Sequence, residues 1–592
     1  MSNKKEAWKE GMYGDEVREK LVEFAEKGWE SIPEEERDMW FSRFKFWGVF
    51  HQRDGQESYF MMRLTNANGQ LTGEQLRTIG EVAREYATGP VDNPEFGSAY
   101  ADFTTRQSIQ LHWIKVEDIA DIWDELESVG LSTIQACGDS WRNIVGSPVA
   151  GRDADELIDV WPIVQELHET FKGNDLYSNL PRKWKVAMTG DRRGSGQGDI
   201  NDLAFEPAVK EIDGEEVEGF NVNVGGGLAR KEPRFARDID VFCRPENATD
   251  VAAGLSALFR DYGDREDRFN ARIKFLVDEW GPEKVRSVLQ EEYVDYELPT
   301  AGEGLRSEYD YNAGRADSTG DYIGVYDQQD GQNFVGLSVL VGRMAAEDVI
   351  ELADLAEEYG SEMIGLTQRQ NVIVGDVADD DLDDFLAEDL LDEHSPDPHP
   401  FMRGSIACTG TEYCSLSIVE TKNRMVRYGR WLRDNVPVPE GVEDFHIHLS
   451  GCTASCAQPQ IADISLRGMK TRKDGDAVEA FDVGLGGGLG ENPTFADWVK
   501  MRVPADEVPG YIANLLETYE AERAGPEESF RDFVADRDED ELAALADSEE
   551  TSYEDPYLGN TKMTWYPYAE ETAMDASPAP TDGRGEPLPS DD

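Results

Sequence analysis

Positive charge is what this 592-residue chain has least of. Its 57 Lys and Arg face 122 Asp and Glu, for a net charge of −65, and only 19 of the 57 are lysines. Such a surface repels nucleic acid and anionic membranes. It also repels itself unless salt screens it, and at 1 M salt the Debye length falls to about 3 Å. An acidic, lysine-poor surface keeps halophilic cytoplasmic proteins in solution, so a salt-loaded cell is expected. Cysteine is scarce too. Six in 592 residues exclude a disulfide scaffold and indicate a reducing compartment. No run of about 18 apolar residues occurs, so no membrane span is expected. The opening MSNKKEAWKEGMYG lacks the apolar stretch of a secretory signal, and a cytoplasmic location is expected. No G-x-G-x-x-G follows a strand-like segment, which argues against a dinucleotide-binding module. Wholesale disorder is excluded by a 39% hydrophobic and 10% aromatic content.

Four of the six cysteines form two close pairs, Cys408 with Cys414 and Cys452 with Cys456. Four thiolates on one site suit a soft metal centre, either an iron–sulfur cluster or zinc. Zinc ribbons usually carry tighter C-x2-C pairs. The loops SIACTGTEYC and SGCTASCAQP are rich in small residues, which let backbone N–H groups approach cluster sulfides. Two disulfides, or buried free thiols, are the plainer alternatives.

The rest of the chain alternates strand and helix signals, as in an α/β unit. YFMMRLT (59–65) and FTTRQSIQLHWI (103–114) read as strands. LTGEQLRTIGEVAREYA (71–87) reads as a helix capped by Thr72, and VEDIADIWDELESVG follows as another. Residues 244–325 read as charged and helical, and the Pro-, Ser- and Asp-rich end of the chain reads as a solvated tail.

An internal repeat decides the architecture. FTTRQSIQL (103–111) returns as LTQRQNVIV (366–374), KVAMTG (185–190) as HIHLSG (446–451), and VNVGGGLA (222–229) as VGLGGGLG (483–490). At the offset of 261 shared by the last two, Cys452 and Cys456 correspond to Asp191 and Ser195. Only the second copy can therefore ligate a cluster, giving one per chain.

The cysteine spacing, with Arg63 in YFMMRL, Arg106 in TTRQSIQLHW, Arg142 in CGDSWRNIVGSP and the run PRKWK (181–185), resembles the sirohaem-dependent nitrite and sulfite reductases. Among these, the ferredoxin-dependent assimilatory nitrite reductases of haloarchaea are the nearest likeness. The resemblance covers roughly residues 40–545. It implies an α+β fold of α/β units, duplicated, with ferredoxin-like half-repeats. The expected division is an N-terminal helical extension (1–55), a first half-repeat (56–118), a first sirohaem-binding domain (119–325), a second half-repeat (326–380), a [4Fe–4S]/sirohaem domain (381–548) and an acidic tail (549–592). It implies that Cys408, Cys414, Cys452 and Cys456 hold a [4Fe–4S] cluster, with Cys456 also bridging to the sirohaem iron. It implies that Arg63, Arg142, Lys183 and Lys185 bind the anion, and that Arg106, Gln107, Gln110, His112 and Arg182 contact sirohaem. Sirohaem bears eight carboxylates, so cations set in apolar strands of so acidic a chain suit its pocket.

The resemblance also implies six-electron reduction of nitrite to ammonium, with ferredoxin as the donor. Two basic islands, 421–433 and 466–473, lie just after the cysteine pairs and carry almost no local acids. Arg424, Arg427, Arg430 and Lys470 are therefore the expected docking residues. Sulfite is the rival substrate. Phe50, where some sulfite-reducing relatives carry a Tyr linked to a cysteine matching Cys137, favours nitrite; Lys185 and CGDSWRN favour sulfite. A non-catalytic iron–sulfur or zinc protein is the remote alternative. Gly225–Gly227, Gly486–Gly488, His51, His446 and His448 are weaker signals with no assigned role.

Overall fold

The computed structural model describes residues 4–9, 11–53, 56, 58–191, 193–229, 232–302, 321–490, 492–545 and 552–558. The repeated T-x-R-Q motif is a turn, which corrects the single-strand reading of 103–114. Strands Gly97–Phe103 and Ile109–Lys115 flank it. The Thr104 amide donates to the Ser108 carbonyl at 2.9 Å, and the Gln107 amide to the Thr104 carbonyl at 3.1 Å. Gln107 adopts φ +52°, a left-handed conformation that helps to reverse the chain here. The second copy repeats the device between Ile364–Leu366 and Val372–Val377, with Gln370 at φ +66°. Thr72 caps helix Gly73–Tyr86 as expected, in a capping box whose partner is Gln75.

The chain is a duplicated α+β protein, built on four sheets among the described residues. In the first half, Val49–His51, Tyr59–Arg63, Ile109–Lys115 and Gly97–Phe103 lie side by side, and the outer neighbour of Gly97–Phe103 is Arg343–Ala345 from the second half. In return, Gln70–Leu71 of the first half completes the sheet of Gly324–Asp327, Asn333–Leu337, Val372–Val377 and Ile364–Leu366. Helices Gly73–Tyr86 and Ala346–Tyr359 pack together at Gly80, where an added Cβ would lie 2.6 Å from Ile350. Arg77 pairs with Asp354 beside them.

The two larger sheets are copies of each other. One runs Val145–Gly146, Val186–Met188, Leu203–Ile212, Glu215–Val224, Arg237–Cys243, and the other Ser405–Ala407, Ile447–Ser450, Ile464–Lys473, Asp476–Leu485, Asp497–Pro504. In each, the first three strands are parallel and the rest antiparallel. The region after residue 244 is helical as expected, through Ala248–Tyr262, Ile273–Trp280 and Pro282–Val288; residues 303–320 lie outside the described residues. The N-terminal extension is not an appendage, since Leu21 and Phe24 of helix Asp15–Lys27 join the core of the half-repeats.

One tail expectation fails. Residues 552–558 pack onto the second lobe, with Tyr553 9% and Tyr557 3% exposed. Residues 559–592 lie outside the described residues. No helix among the described residues is long and apolar enough to cross a membrane.

Candidate functional site

Two adjacent parallel strands deliver the cysteines. Ser405–Ala407 ends at Cys408 and its neighbour Ile447–Ser450 ends at Gly451 and Cys452, with Ala407 opposite Leu449. The carboxyl ends of parallel strands are where such sheets commonly build sites. The Cys408 amide donates to the Leu449 carbonyl at 3.2 Å, and the Gly451 amide donates to Cys408 Sγ at 3.2 Å. Glycine is required there, because a Cβ on Gly451 would fall 1.9 Å from Ser417 Oγ. The Ala454 amide reaches Cys452 Sγ at 3.5 Å. Burial and the field of Cys456 push the Cys408 thiol up to about 12, and the same causes raise Cys414. Cys452 is raised by burial and by the other three. Buried thiols that resist ionisation together need a cation to hold them as thiolates, and iron or zinc is such a cation. Cys456 alone of the four is exposed, and the hydroxyl of Thr105, from the first-half turn, donates to its carbonyl at 3.0 Å.

Near these thiols stands a group of cations outside the ion pairs among the described residues. Burial lowers the pKa of Arg63, of Lys183 and, to about 9, of Arg106. Lys183 and Lys185 both lie well below the ordinary lysine value of 10.5, Lys183 held down by burial, Arg272, Arg142 and Arg182, and Lys185 by burial, Arg106, Lys183 and Arg272. All five, counting Arg142, keep partial surface exposure while lying deep in the protein, as residues lining an internal cavity do. The field of Cys456 reaches both Arg63 and Lys183. Among the described residues none of Arg63, Arg106, Arg142, Lys183 and Lys185 forms an ion pair, whereas Arg182 meets Asp139 at 3.1 Å and Arg272 meets Asp202 at 2.7 Å. Arg63 instead donates to the Ala136 carbonyl and lies 4.6 Å above the Phe50 ring. Arg142 donates to the Gly138 carbonyl at 2.7 Å, and Arg106 to Asn201 Oδ1 at 2.9 Å. The Nε atoms of Arg106 and Arg142 are buried without a partner. Five cations outside any ion pair among the described residues, in a chain of net charge −65, fit a polyanionic occupant.

Several expected cofactor contacts serve the protein instead. The Gln107 amide nitrogen donates to the carbonyls of Asn68, Gly146 and Leu366 and its oxygen accepts from the Gly146 amide, so no polar atom is left for a ligand. Gln370 mirrors it on Phe103 and Ala407. The Gln110 amide, turned with its oxygen toward Arg63, accepts from that guanidinium at 2.8 and 3.1 Å. His112 bonds Asp102 at 3.1 Å and stacks at 3.8 Å on Tyr413, beside Cys414. Arg182 shares Asp139 with Lys9 and Arg268. The glycine runs meet protein atoms: a Cβ on Gly227 would strike Arg272, and one on Gly488 would strike Arg531. His446 is held by Asp444 and Asp463, and His51 stacks on Phe41.

The docking expectation needs correction. Arg424 is wholly buried between Glu479 and Asp555 and cannot meet a partner. Arg427 and Arg430 both pair with Glu95, Arg467 with Asp482, and Lys473 with Asp506. The acids absent from the local sequence arrive from elsewhere in the fold. Lys45, in the aromatic run RFKFW, is a cation that sequence reasoning missed; it acts on Cys137 and Cys414, and the same signal that singled out Arg63 marks it.

The repeat extends to the whole thiol site. At the offset of 261 the four cysteine positions are Ser147, Asp153, Asp191 and Ser195, all buried. Ser195 bonds Asp191, Tyr322 joins Ser147 to Asp191 at 3.4 Å each, and Arg193 lies 3.3 Å from Asp153 and over the rings of Tyr322 and Tyr326. A tyrosine and an arginine of the chain itself fill the copy.

The chain is similar to known proteins. A family model described as the nitrite and sulphite reductase 4Fe-4S domain matches residues 137–297 and 399–553, and one described as the nitrite/sulfite reductase ferredoxin-like half domain matches 51–92, 94–129 and 326–388. The chain is 56% identical over 574 residues to an assimilatory ferredoxin-dependent nitrite reductase of Haloferax mediterranei, covering 96% of this chain and 98% of that one. It is 34% identical over 547 residues to sulfite reductase (ferredoxin) 1 of Mycolicibacterium paratuberculosis, covering 89% and 93%. Among solved structures, the Mycobacterium tuberculosis NirA protein matches with a TM-score of 0.78 at 32% identity, covering 89% of this chain and 95% of that one.

Proposed function

The chain belongs to the nitrite and sulphite reductase family, and on that premise we propose that it is a ferredoxin-dependent assimilatory nitrite reductase, working in the cytoplasm with sirohaem and one [4Fe–4S] cluster. The observation that carries this reading is the meeting of four thiols with unpaired cations, Cys456 acting on both Arg63 and Lys183. Cys408, Cys414, Cys452 and Cys456 would hold the cluster. Arg63, Arg106, Arg142, Lys183 and Lys185 would face the carboxylates of sirohaem and the anion. Gln107 and His112 are assigned to the framework, and Gln110 and Arg182 to positioning Arg63 and Asp139.

When bound, sirohaem and cluster supply the iron that takes the anion and the path for six electrons. The chain's residues do the rest. Arg63 and Arg142, each anchored to a carbonyl beside Cys137, present the remaining N–H donors to the anion's oxygens. Lys183 and Lys185 neutralise its charge. With pKa values far below an ordinary lysine, they also release protons readily as oxygen leaves as water. Conversion of nitrite to ammonium takes up eight protons with its six electrons, so proton donors at the anion matter as much as electron supply.

Ferredoxin as donor accords with the names of the relatives, and of the expected docking residues Arg427, Arg430 and Lys470 keep some exposure. Sulfite remains the second reading: two lysines suit a dianion, and a relative at 34% identity is named a sulfite reductase. Steady-state kcat/KM for nitrite and sulfite, with one donor at high salt, tests the proposal. A preference for sulfite would overturn the substrate, and absence of sirohaem absorption would overturn the enzyme.

A further inference from the structure

We infer that residues 552–558 form a latch on the cysteine loop, with Asp555 as its positioning residue. The segment docks through its backbone, its rings and one carboxylate. The Leu558 carbonyl accepts from the Glu479 amide at 3.1 Å. Tyr553 packs edge-on against Tyr428, with ring centres 5.4 Å apart, and near Trp431. The Asp555 side chain has no exposed surface; it accepts from Arg424 Nε at 2.7 Å and Nη2 at 3.4 Å, and from the Tyr557 amide at 2.8 Å.

From Asp555 a short path leads to the first cysteine. Arg424 opens helix Lys422–Asn435, the element that follows the Cys408–Cys414 loop. Its Nη1 donates to the Glu420 carbonyl at 2.8 Å and to Glu479 Oε2 at 2.6 Å. The Glu420 amide donates to that same Glu479 oxygen at 2.9 Å. The next residue, Thr421, donates its hydroxyl to the Cys408 carbonyl, and Gly410 packs so tightly on Thr421 that a Cβ would lie 2.3 Å from its hydroxyl oxygen. Arg424 is thus gripped at both ends, by the latch on one side and by the turn carrying Cys408 on the other. Removing the Asp555 charge leaves buried Arg424 with Glu479 alone to balance it, and the loss is passed to the loop that Arg424 holds through the Glu420 carbonyl. That loop carries Cys408 and Cys414.

The inference rests on the reading that these cysteines hold a cluster, and the test separates the two. In holoenzyme at high salt, the release of iron to a chelator is followed for wild type, Asp555→Asn, Asp555→Ala and Asp555→Glu. Val164→Ala, in the core of the first lobe, controls for general destabilisation. Release about tenfold faster in Asp555→Asn and Asp555→Ala is expected, with Asp555→Glu close to wild type and the control unaffected well below its Tm. Faster amide exchange over 408–421 should accompany it. Unchanged release and exchange in Asp555→Asn would overturn the latch, and that variant decides if Asp555→Ala does not accumulate. A wild-type protein without iron would overturn the cluster reading instead.

Discussion

The side chains of Gln197 and Gln458 meet at 2.7 Å, 261 residues apart in sequence. That separation is the repeat offset, so each glutamine touches its own copy, which happens only on the internal twofold axis. Both sit in left-handed backbone, at φ +51° and +56°. The stacked rings of Phe235 and Phe495, 3.8 Å apart, lie close to the same axis. Gln458→Ala should cost about 1–3 kcal/mol, since it leaves a half-buried amide without its partner. Chemical denaturation measures this, and a change below about 0.5 kcal/mol would mean that the contact is incidental.

Cys456→Ser should abolish nitrite reduction and disturb the cluster and sirohaem spectra together. Cys243, buried on the far side of the first lobe, should tolerate Ser with the cluster retained. A Cys456→Ser enzyme with normal spectra and turnover would remove this residue from the site.

Affinity for nitrite should weaken as pH rises. The ammonium groups of Lys183 and Lys185 attract the anion, and their pKa values are lowered, so the charge present at low pH is lost as pH climbs through those values. A bound anion pulls the values back up, so binding takes up protons. The apparent KM should increase as pH rises, and calorimetry in buffers of different ionisation enthalpy should register the uptake. A flat KM would exclude these lysines from anion binding.

Dialysis to low salt should unfold the enzyme. With a net charge of −65, lengthening the Debye length from about 3 Å at 1 M to about 30 Å at 0.01 M exposes each acid to many others. Circular dichroism and activity should fall together. Full structure in dilute buffer would show that ion pairs such as Arg77–Asp354 offset the repulsion.

Lys185→Asn should lower kcat/KM for sulfite more than for nitrite, because removing one charge costs a dianion more than a monoanion. Equal losses would mean that Lys185 serves proton delivery alone.

The cysteine pairs and the duplication were legible because both are carried by identity and spacing, which folding does not rewrite. Partners were not. FTTRQSIQL has the β-branched and apolar residues of a strand, and only the left-handed Gln107 makes it a turn. Arg424 seemed free because its acid, Asp555, lies 131 positions away in a segment whose composition reads as solvated. Gln107 sits beside Arg106, yet its side chain turns to three backbone carbonyls, a choice fixed by tertiary contact that no local pattern announces.

The edge strands traded between the halves constrain synthesis. Thr88–Asn93 pairs with the start of strand Gly97–Phe103, but the Tyr100–Asp102 stretch has Arg343–Ala345 as its outer neighbour, so that stretch stays open until about 240 further residues leave the ribosome, roughly 10–50 s at ~5–20 residues per second. During that interval a nascent chain exposes an unpaired strand stretch, and high salt strengthens aggregation of apolar surface. The two halves therefore cannot mature in turn. The first waits for the second, and chaperones have a defined strand to guard.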